Sequence, residues 1–334
     1  MLPLLLIIAA VLAAAPGDDA TTFTNPIAPG GADPWVIERE GVYHYCYSAG
    51  GAIWVASSPS LLGVFEAEGV EVWRPEPGKA WSSGLWAPEL HWIDGAWWIY
   101  VAADDGDNAN HRMQALKRGE ADPKGPFERV GTLALPDDKW AIDGTAFEHE
   151  GQLYHVWSGW PGDENVEQNL YICRMRDPAT PAGERAMLST PEHDWEKAGS
   201  GGGFPTINEG PVALSHGGRT FILYAAAGSW SDFYCIGLLE LVGDDPMDPA
   251  AWKKYDRPWF ERTDRVFGPG HPSWTKSPDG REFWLVYHAA KRQGSGWDRD
   301  VSLQRFTFDA NGLPQIDPPT KGEPIPVPSG DAAD

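Results

Sequence analysis

The segment Asp33-Pro-Trp-Val-Ile-Glu-Arg-Glu-Gly-Val-Tyr-His-Tyr-Cys-Tyr47 decides the fold. An acidic residue precedes an apolar stretch, a glycine turn and a second, aromatic-rich stretch, which is typical of a β-hairpin. The same pattern returns four more times along the 334-residue chain. We call the first residue of each copy its anchor. The anchors and their turn glycines are Asp33 with Gly41, Ala87 with Gly95, Asp143 with Gly151, Glu209 with Gly217 and His271 with Gly280.

The regular spacing of the anchors predicts the architecture. Successive anchors are 54, 56, 66 and 62 residues apart, which leaves room for two further strands in each repeat. The 38 Gly and 30 Pro residues also favour short strands and turns over long helices. Five four-stranded units predict an all-β protein, a five-bladed β-propeller with its blades around a central channel. A β-sandwich or two unrelated β-domains would not explain five turns at nearly constant distance from the anchors.

The N-terminus has the features of a targeting segment. Residues 1–15 are apolar, with a Leu/Ile run followed by small alanines, and this is typical of a secretory signal peptide. We predict a signal peptide over residues 1–20, cleaved between about Ala13 and Ala20, and a single propeller catalytic domain over residues 21–334. An uncleaved anchor is the alternative, but the apolar run is short for a membrane span. The mature protein is expected to be secreted or periplasmic, without membrane contact.

The net charge indicates which partners are excluded, and the cysteine content indicates whether disulfides are expected. The net charge of −22 would repel nucleic acids and anionic membranes; a neutral substrate fits better, although an acidic surface also serves solubility alone. Cys46, Cys173 and Cys235 lie in strand-like runs. We interpret them as small buried hydrophobic residues rather than as a disulfide with one thiol left over.

Three of the five anchors are acidic. In a propeller, equivalent positions meet at the axis, so Asp33, Asp143 and Glu209 should crowd one end of the channel. Carboxylates so placed cannot all ionise easily, and their pKa values move apart. One can then stay protonated while another is ionised, as acid/base cleavage of a glycosidic bond requires. The alternative for any one of them is a turn residue, because Asp-Pro and Asp-Gly are common turn dipeptides.

Short motifs surround the anchors, in the order Asn25-Pro-Ile27, Ala32-Asp-Pro34, Trp86-Ala-Pro-Glu89, Ile142-Asp-Gly-Thr145, Asn208-Glu-Gly-Pro211 and Gly268-Pro-Gly-His271. With an aromatic strand after each anchor, this series resembles glycoside hydrolase family 43 over nearly the whole predicted mature chain. Three further motifs are similar to its α-L-arabinofuranosidase-like members: Asn110-His-Arg-Met113, Trp157-Ser-Gly-Trp160 and Asp194-Trp-Glu196.

The resemblance implies an inverting hydrolase that requires no cofactor. Asp33 would be the general base that activates water, and Glu209 the general acid that protonates the leaving oxygen. Asp143 would tune the pKa of the acid and help to orient it. Such a base and acid stand roughly 6.5 to 9.5 Å apart, to leave room for the water.

The resemblance also implies roles for His271 and Arg299. His271 would contact a water or a bound Ca²⁺ or Na⁺ in the central channel beneath the sugar; the alternative is a core histidine. Arg299 would reach the sugar and the carboxylate that tunes the acid. A surface strand arginine is the alternative there, and Arg292 or Arg305 could fill the same role.

The chain has 18 tryptophans. Indole faces pack on the C–H faces of sugars, and Trp86 and Trp160 are the candidates for this contact. Trp35, Trp98, Trp274 and Trp284 lie in strand-like runs and are expected in the core. The acidic segment 104–108 does not have the spacing of a calcium loop, and we interpret it as a turn.

Together these features predict an exo-acting α-L-arabinofuranosidase that acts on plant cell-wall polysaccharide, on arabinan or on arabinoxylan side chains. A β-xylosidase or an endo-arabinanase on the same fold remains open. A non-catalytic carbohydrate-binding propeller is the alternative from another class, because a fold does not fix a function.

Overall fold

The computed structural model describes residues 21–331, so the predicted signal peptide lies outside the described residues. Strands dominate this part of the chain, and the helical elements in it are short 3₁₀ helices at Gly63–Phe65, Asn108–Asn110, Asp194–Lys197 and Pro249–Ala251. The expectation of an all-β protein is therefore confirmed. Within residues 21–331, no helix has the length and hydropathy needed to cross a membrane.

Two short strands, β1 (Thr22–Thr24) and β2 (Ala28–Pro29), precede five four-stranded units. The first unit contains β3 (Trp35–Arg39), β4 (Val42–Ala49), β5 (Ala52–Ser58) and β6 (Val70–Trp73). The second contains β7 (Ser83–Ile93), β8 (Ala96–Asp104), β9 (Arg112–Arg118) and β10 (Glu128–Thr132). The third contains β11 (Ala141–His149), β12 (Gln152–Gly159), β13 (Glu167–Asp177) and β14 (Thr180–Ser189).

The fourth unit contains β15 (Thr206–His216), β16 (Arg219–Ala226), β17 (Cys235–Leu241) and β18 (Trp252–Lys254). The fifth contains β19 (Phe267–Lys276), β20 (Phe283–Ala290), β21 (Arg299–Phe308) and β22 (Pro314–Ile316), and β23 (Pro324–Pro326) follows it. Inside each unit, consecutive strands pair antiparallel, and a short parallel pairing of β13 with β15 joins the third and fourth units into one sheet. The five predicted hairpins are the first two strands of the five units.

The anchors lie in the first strand of their units, except that Asp33 lies two residues before β3. Four of them adopt a left-handed backbone conformation, with φ of 47° at Asp33, 42° at Ala87, 54° at Asp143 and 51° at His271. Residues with a Cβ avoid this region, Asp less than most. A proline follows three of the four, and the strand pairing is irregular just after Ala87, Asp143 and His271. The same local conformation therefore recurs at equivalent positions of four units.

The fourth unit departs from the predicted register by one residue. Its left-handed residue is Gly210, with φ of 53°, and not Glu209. The prediction that Glu209 occupies the same repeat position as Asp33 and Asp143 is therefore wrong: Glu209 lies one position earlier. The reason is steric, because a Cβ at Gly210 would lie 3.1 Å from the imidazole of His271. Glycine adopts this backbone conformation without strain and also permits this close approach.

The apolar core fills the space within and between the units. Trp35, Trp98 and Trp284 are buried, and Trp274 is partly buried against the core, as predicted. Tryptophan indoles also join neighbouring units: Trp35 Nε1 donates to the carbonyl of Leu90, and Trp274 Nε1 donates to that of Ala213. All three cysteines are buried and free, which confirms their interpretation as hydrophobic core residues.

The N-terminal segment attaches to the end of the chain. Strand β2 pairs with β21 of the fifth unit, and β1 pairs with β23. Asn25 lies between β1 and β2 in the chain. Its buried side chain accepts a hydrogen bond from the Leu303 N–H at 2.9 Å and donates to the Leu303 carbonyl at 2.7 Å. The residues that precede the first unit therefore complete the last one.

Asn25→Ala should lower the free energy of unfolding by about 3 kcal/mol, because it leaves two buried backbone groups of Leu303 without partners. Urea denaturation monitored by tryptophan fluorescence measures the change. Asn311→Ala, in an exposed turn, is the matched control and should have little effect. Equal effects of the two substitutions would contradict this attachment.

Candidate active site

One cavity of about 570 Å³ collects side chains from all five units. Six of the seven predicted site residues line it: Asp33, Trp86, Asp143, Glu209, His271 and Arg299. Its other lining residues include Trp140, Gln168, Phe204, Trp230 and Trp297. The fold thus gathers residues that are up to 266 positions apart in the sequence, as the repeat predicted.

Asp33 is surrounded by nitrogen atoms. Its Oδ1 lies 3.3 Å from Nδ1 of His271, 3.3 Å from Nδ1 of His288 and 3.7 Å from Nη1 of Arg299. Its backbone N–H donates to His288 Nδ1 at 3.0 Å. Burial would raise the pKa of Asp33, but the neighbouring imidazoles of His271 and His288 and the charge of Arg299 together hold it well below its usual range. Asp33 is therefore ionised throughout the neutral range.

Glu209 has the opposite electrostatic character. It is buried, and its Oε1 accepts a hydrogen bond from Tyr234 Oη at 2.8 Å. Burial raises the pKa of Glu209 to about 7, and the charge of Asp33 acts in the same direction, against the Tyr234 hydrogen bond and the charge of Arg299. Glu209 can therefore carry a proton at a pH at which Asp33 has none.

Asp143 lies close to residues beside both Asp33 and Glu209. Its Oδ2 accepts a hydrogen bond from the Gly210 N–H at 3.0 Å and lies 4.0 Å from His271 Nδ1. Burial, followed by the charges of Glu209 and Asp33, raises the pKa of Asp143 well above its usual value. Because Asp143 and Glu209 influence each other, the pair titrates as a unit.

The structure selects one of the three candidate arginines. Arg299 is buried at the cavity, and its Nη2 donates to the Ser229 carbonyl at 2.5 Å. Arg292 and Arg305 are exposed, and Arg305 pairs with Glu282 at 2.8 Å. Arg299 is therefore the permanent cation beside Asp33.

His271 lies at the base of the cavity between two carboxyl groups. Among residues 21–331, no group of three or more His, Cys, Asp or Glu side chains has an arrangement that could hold a metal ion. A Ca²⁺ or Na⁺ near His271 stays a prediction. The acidic segment 104–108 is a turn, as interpreted: Asp104, Asp105 and Asp107 accept hydrogen bonds from N–H groups of their own loop.

The two tryptophan candidates differ. Trp86 lines the cavity with 40% of its surface exposed, and its indole stacks on His111 with ring centroids 3.9 Å apart. Trp160 is only 4% exposed and stacks behind Trp140, with centroids 4.8 Å apart. The prediction of Trp160 as a sugar-stacking surface is therefore wrong, because Trp140 lies between it and the cavity.

Several residues at the site were missed by sequence reasoning, namely Trp140, Phe204, Trp230, Tyr234, His288 and Trp297. Most of them lie in loops outside the repeated hairpin, so no regular spacing marks them. Only Tyr234 and His288 could have been identified from the sequence. His288 lies in β20 and Tyr234 directly precedes β17, and the repeat predicts both strands close to an anchor.

Comparisons with known proteins agree with this geometry. The family model of Glycosyl hydrolases family 43 matches residues 23–314. The chain is 31% identical to an extracellular exo-α-(1→5)-L-arabinofuranosidase of Streptomyces avermitilis, over 94% of this chain and 67% of the relative. It is 35% identical to a protein of the same name from Streptomyces chartreusis, over 80% of this chain and 82% of the relative.

A solved structure is also similar to this chain. The crystal structure of an α-L-arabinofuranosidase from Lactobacillus brevis superposes with a TM-score of 0.83 at 32% identity. The match covers 90% of this chain and 98% of that one. The similarity therefore extends over most of the length of both chains.

Proposed function

Because the chain belongs to Glycosyl hydrolases family 43, we propose that it is an exo-acting α-L-arabinofuranosidase that removes terminal arabinose from arabinan or from arabinoxylan side chains. One observation carries the proposal: a single cavity holds Asp33, with its low pKa, together with Glu209 and Asp143, with raised pKa values. The names of the similar proteins support the choice of sugar.

We further propose that residues 21–334 form one catalytic domain, a five-bladed β-propeller. Five antiparallel units support this arrangement, as does the pairing of β2 with β21, which attaches the segment before the first unit to the last one. A cavity lined by residues from every unit also supports a site at one end of a central channel.

The proposed mechanism divides the work between two carboxyl groups. Asp33, ionised and surrounded by nitrogen atoms, removes a proton from the attacking water. Glu209 donates its proton to the oxygen of the leaving group as the glycosidic bond breaks, and this single displacement inverts the anomeric carbon. Asp143 orients the acid through the backbone at Gly210 and tunes its pKa. Arg299 stabilises the ionised base and reaches the sugar.

Three other proposals concern the surroundings of the reaction. His271 and Trp86 contact the bound sugar, His271 from beneath it and Trp86 at the side of the cavity. The carboxyl groups supply the acid and the base, so no cofactor is required, and a Ca²⁺ or Na⁺ in the channel takes no part in the steps above. The protein is secreted or periplasmic, which the extracellular relatives support.

The test is a panel of 4-nitrophenyl glycosides together with linear arabinan. We expect turnover of the α-L-arabinofuranoside and arabinose as the first product from arabinan. Turnover of the β-xyloside alone would assign the chain as a β-xylosidase, and oligosaccharides as first products would assign it as an endo-arabinanase. Binding of arabinan without cleavage of any glycoside would support the non-catalytic alternative.

Tyr234→Phe should move the alkaline limb of the pH profile of kcat/KM to higher pH. The Tyr234 hydroxyl donates to the Glu209 carboxylate and so lowers its pKa. Without it, the ionised form is less stable, the pKa rises, and Glu209 keeps its proton to higher pH. Turnover of the 4-nitrophenyl arabinofuranoside between pH 4 and 10 measures this limb, and a shift to lower pH would contradict the assignment of Glu209 as the acid.

A further inference from the structure

Three aromatic side chains form one side of the cavity mouth, and we call them the aromatic wall: Phe204, Trp230 and Trp297. Phe204 is 56% exposed and Trp297 is 65% exposed. The ring centroids of Phe204 and Trp230 are 4.7 Å apart, and those of Trp230 and Trp297 are 6.5 Å apart. A cluster of large exposed aromatic rings beside a polar cavity is typical of a binding surface.

Hydrogen bonds and close packing hold the wall in place. Trp230 Nε1 donates to the Gly199 carbonyl at 2.9 Å, and Trp297 Nε1 donates to Ser229 Oγ at 3.2 Å. The Trp230 ring also packs over Gly228, where a Cβ would lie 2.8 Å from it. The two indole rings are thus fixed before any ligand binds, which reduces the entropy that binding costs.

The wall is attached to the residues around Glu209. Phe204 lies five residues before Glu209, and Trp230 lies four residues before Tyr234, whose hydroxyl bonds to Glu209. Trp297 lies two residues before Arg299, and Arg299 bonds to the carbonyl beside Trp230. Phe204 and Trp230 therefore belong to the unit that contains the general acid, and Trp297 is close in the chain to Arg299.

We propose that the aromatic wall binds the leaving group of the reaction, the sugar ring to which the terminal arabinose is attached. This inference rests on the proposed function. In a single displacement the leaving group departs next to the general acid, and the water enters on the other face of the sugar. The second ring of the substrate therefore meets the wall, where its C–H face can pack on Trp297 and Trp230. The exposed Trp297 lets a longer chain continue into solvent.

The proposal predicts that the protein prefers a substrate with a second sugar ring over one without it. Methyl α-L-arabinofuranoside and α-(1→5)-arabinobiose both release an alcohol, so they make the same demand on the acid, but only the disaccharide has a second ring. Trp297→Ala should lower the ratio of kcat/KM for the disaccharide to kcat/KM for the methyl glycoside by about tenfold. Trp297→Phe, which keeps a ring for stacking, should recover most of this ratio.

Phe233→Ala is the matched control. Phe233 is also an exposed aromatic residue, 47% exposed and close to Trp230 in the chain, but it does not line the cavity. Its substitution should leave the ratio unchanged. A ratio that stays constant in Trp297→Ala while the wild type cleaves both substrates would overturn the inference and leave the proposed function intact. A wild type that cleaves neither substrate would refute both.

Discussion

Glu209→Gln should lower kcat for arabinobiose on the order of 10³-fold, and should lower kcat for 2,4-dinitrophenyl α-L-arabinofuranoside far less. A positioned general acid contributes roughly this factor when the leaving group needs a proton. Dinitrophenolate is stable as an anion and leaves without one. Initial rates on the two substrates give the comparison.

The fold should tolerate this change. Glutamine has the shape of glutamic acid, its amide oxygen can still accept the Tyr234 hydrogen bond, and it places no charge in the buried site. Glu184→Gln, at an exposed position, is the control and should behave as the wild type. Equal losses on both substrates would exclude Glu209 as the proton donor.

Asp33→Asn should abolish turnover of both substrates to a similar extent, on the order of 10³-fold or more. An amide cannot accept the proton of the attacking water, and a better leaving group does not replace that step. The loss of turnover therefore depends on the leaving group when the acid is replaced, and does not depend on it when the base is replaced.

Asparagine is the appropriate replacement on backbone grounds. Residue 33 has φ of 47°, a conformation that Asn adopts as readily as Asp. Its backbone N–H can still donate to His288. Asp244→Asn, at an exposed position, provides the control. If Asp33→Asn retained wild-type turnover with an unchanged melting temperature, Asp33 would not be the base.

The repeated hairpin explains why much of the fold and the site could be predicted. A turn at a fixed distance from an anchor is a local property that the sequence records directly, and repetition brings distant anchors together. Asp33, Asp143 and His271 follow from it without any contact being known. Arg299 needed the structure, because the three candidate arginines differ only in burial.

The errors have a common physical origin. The hairpin pattern predicts Glu209 at the repeat position from its distance to Gly217, and the sequence does not record which of two neighbouring residues takes the left-handed conformation. Trp140 and Trp160 face each other across a hairpin, and which of them faces the cavity depends on how the strands pack. Tyr234 and the aromatic wall lie mostly in loops of irregular length, whose conformation depends on tertiary contacts.

The central claim is that Asp33 and Glu209 act as base and acid on opposite faces of the sugar. Proton NMR of the first product formed from an α-L-arabinofuranoside tests it most directly, before the free sugar equilibrates. The account predicts that β-L-arabinofuranose appears first and the α anomer follows by mutarotation. Initial release of the α anomer would require a covalent intermediate and would contradict the assignment of Asp33 as a base.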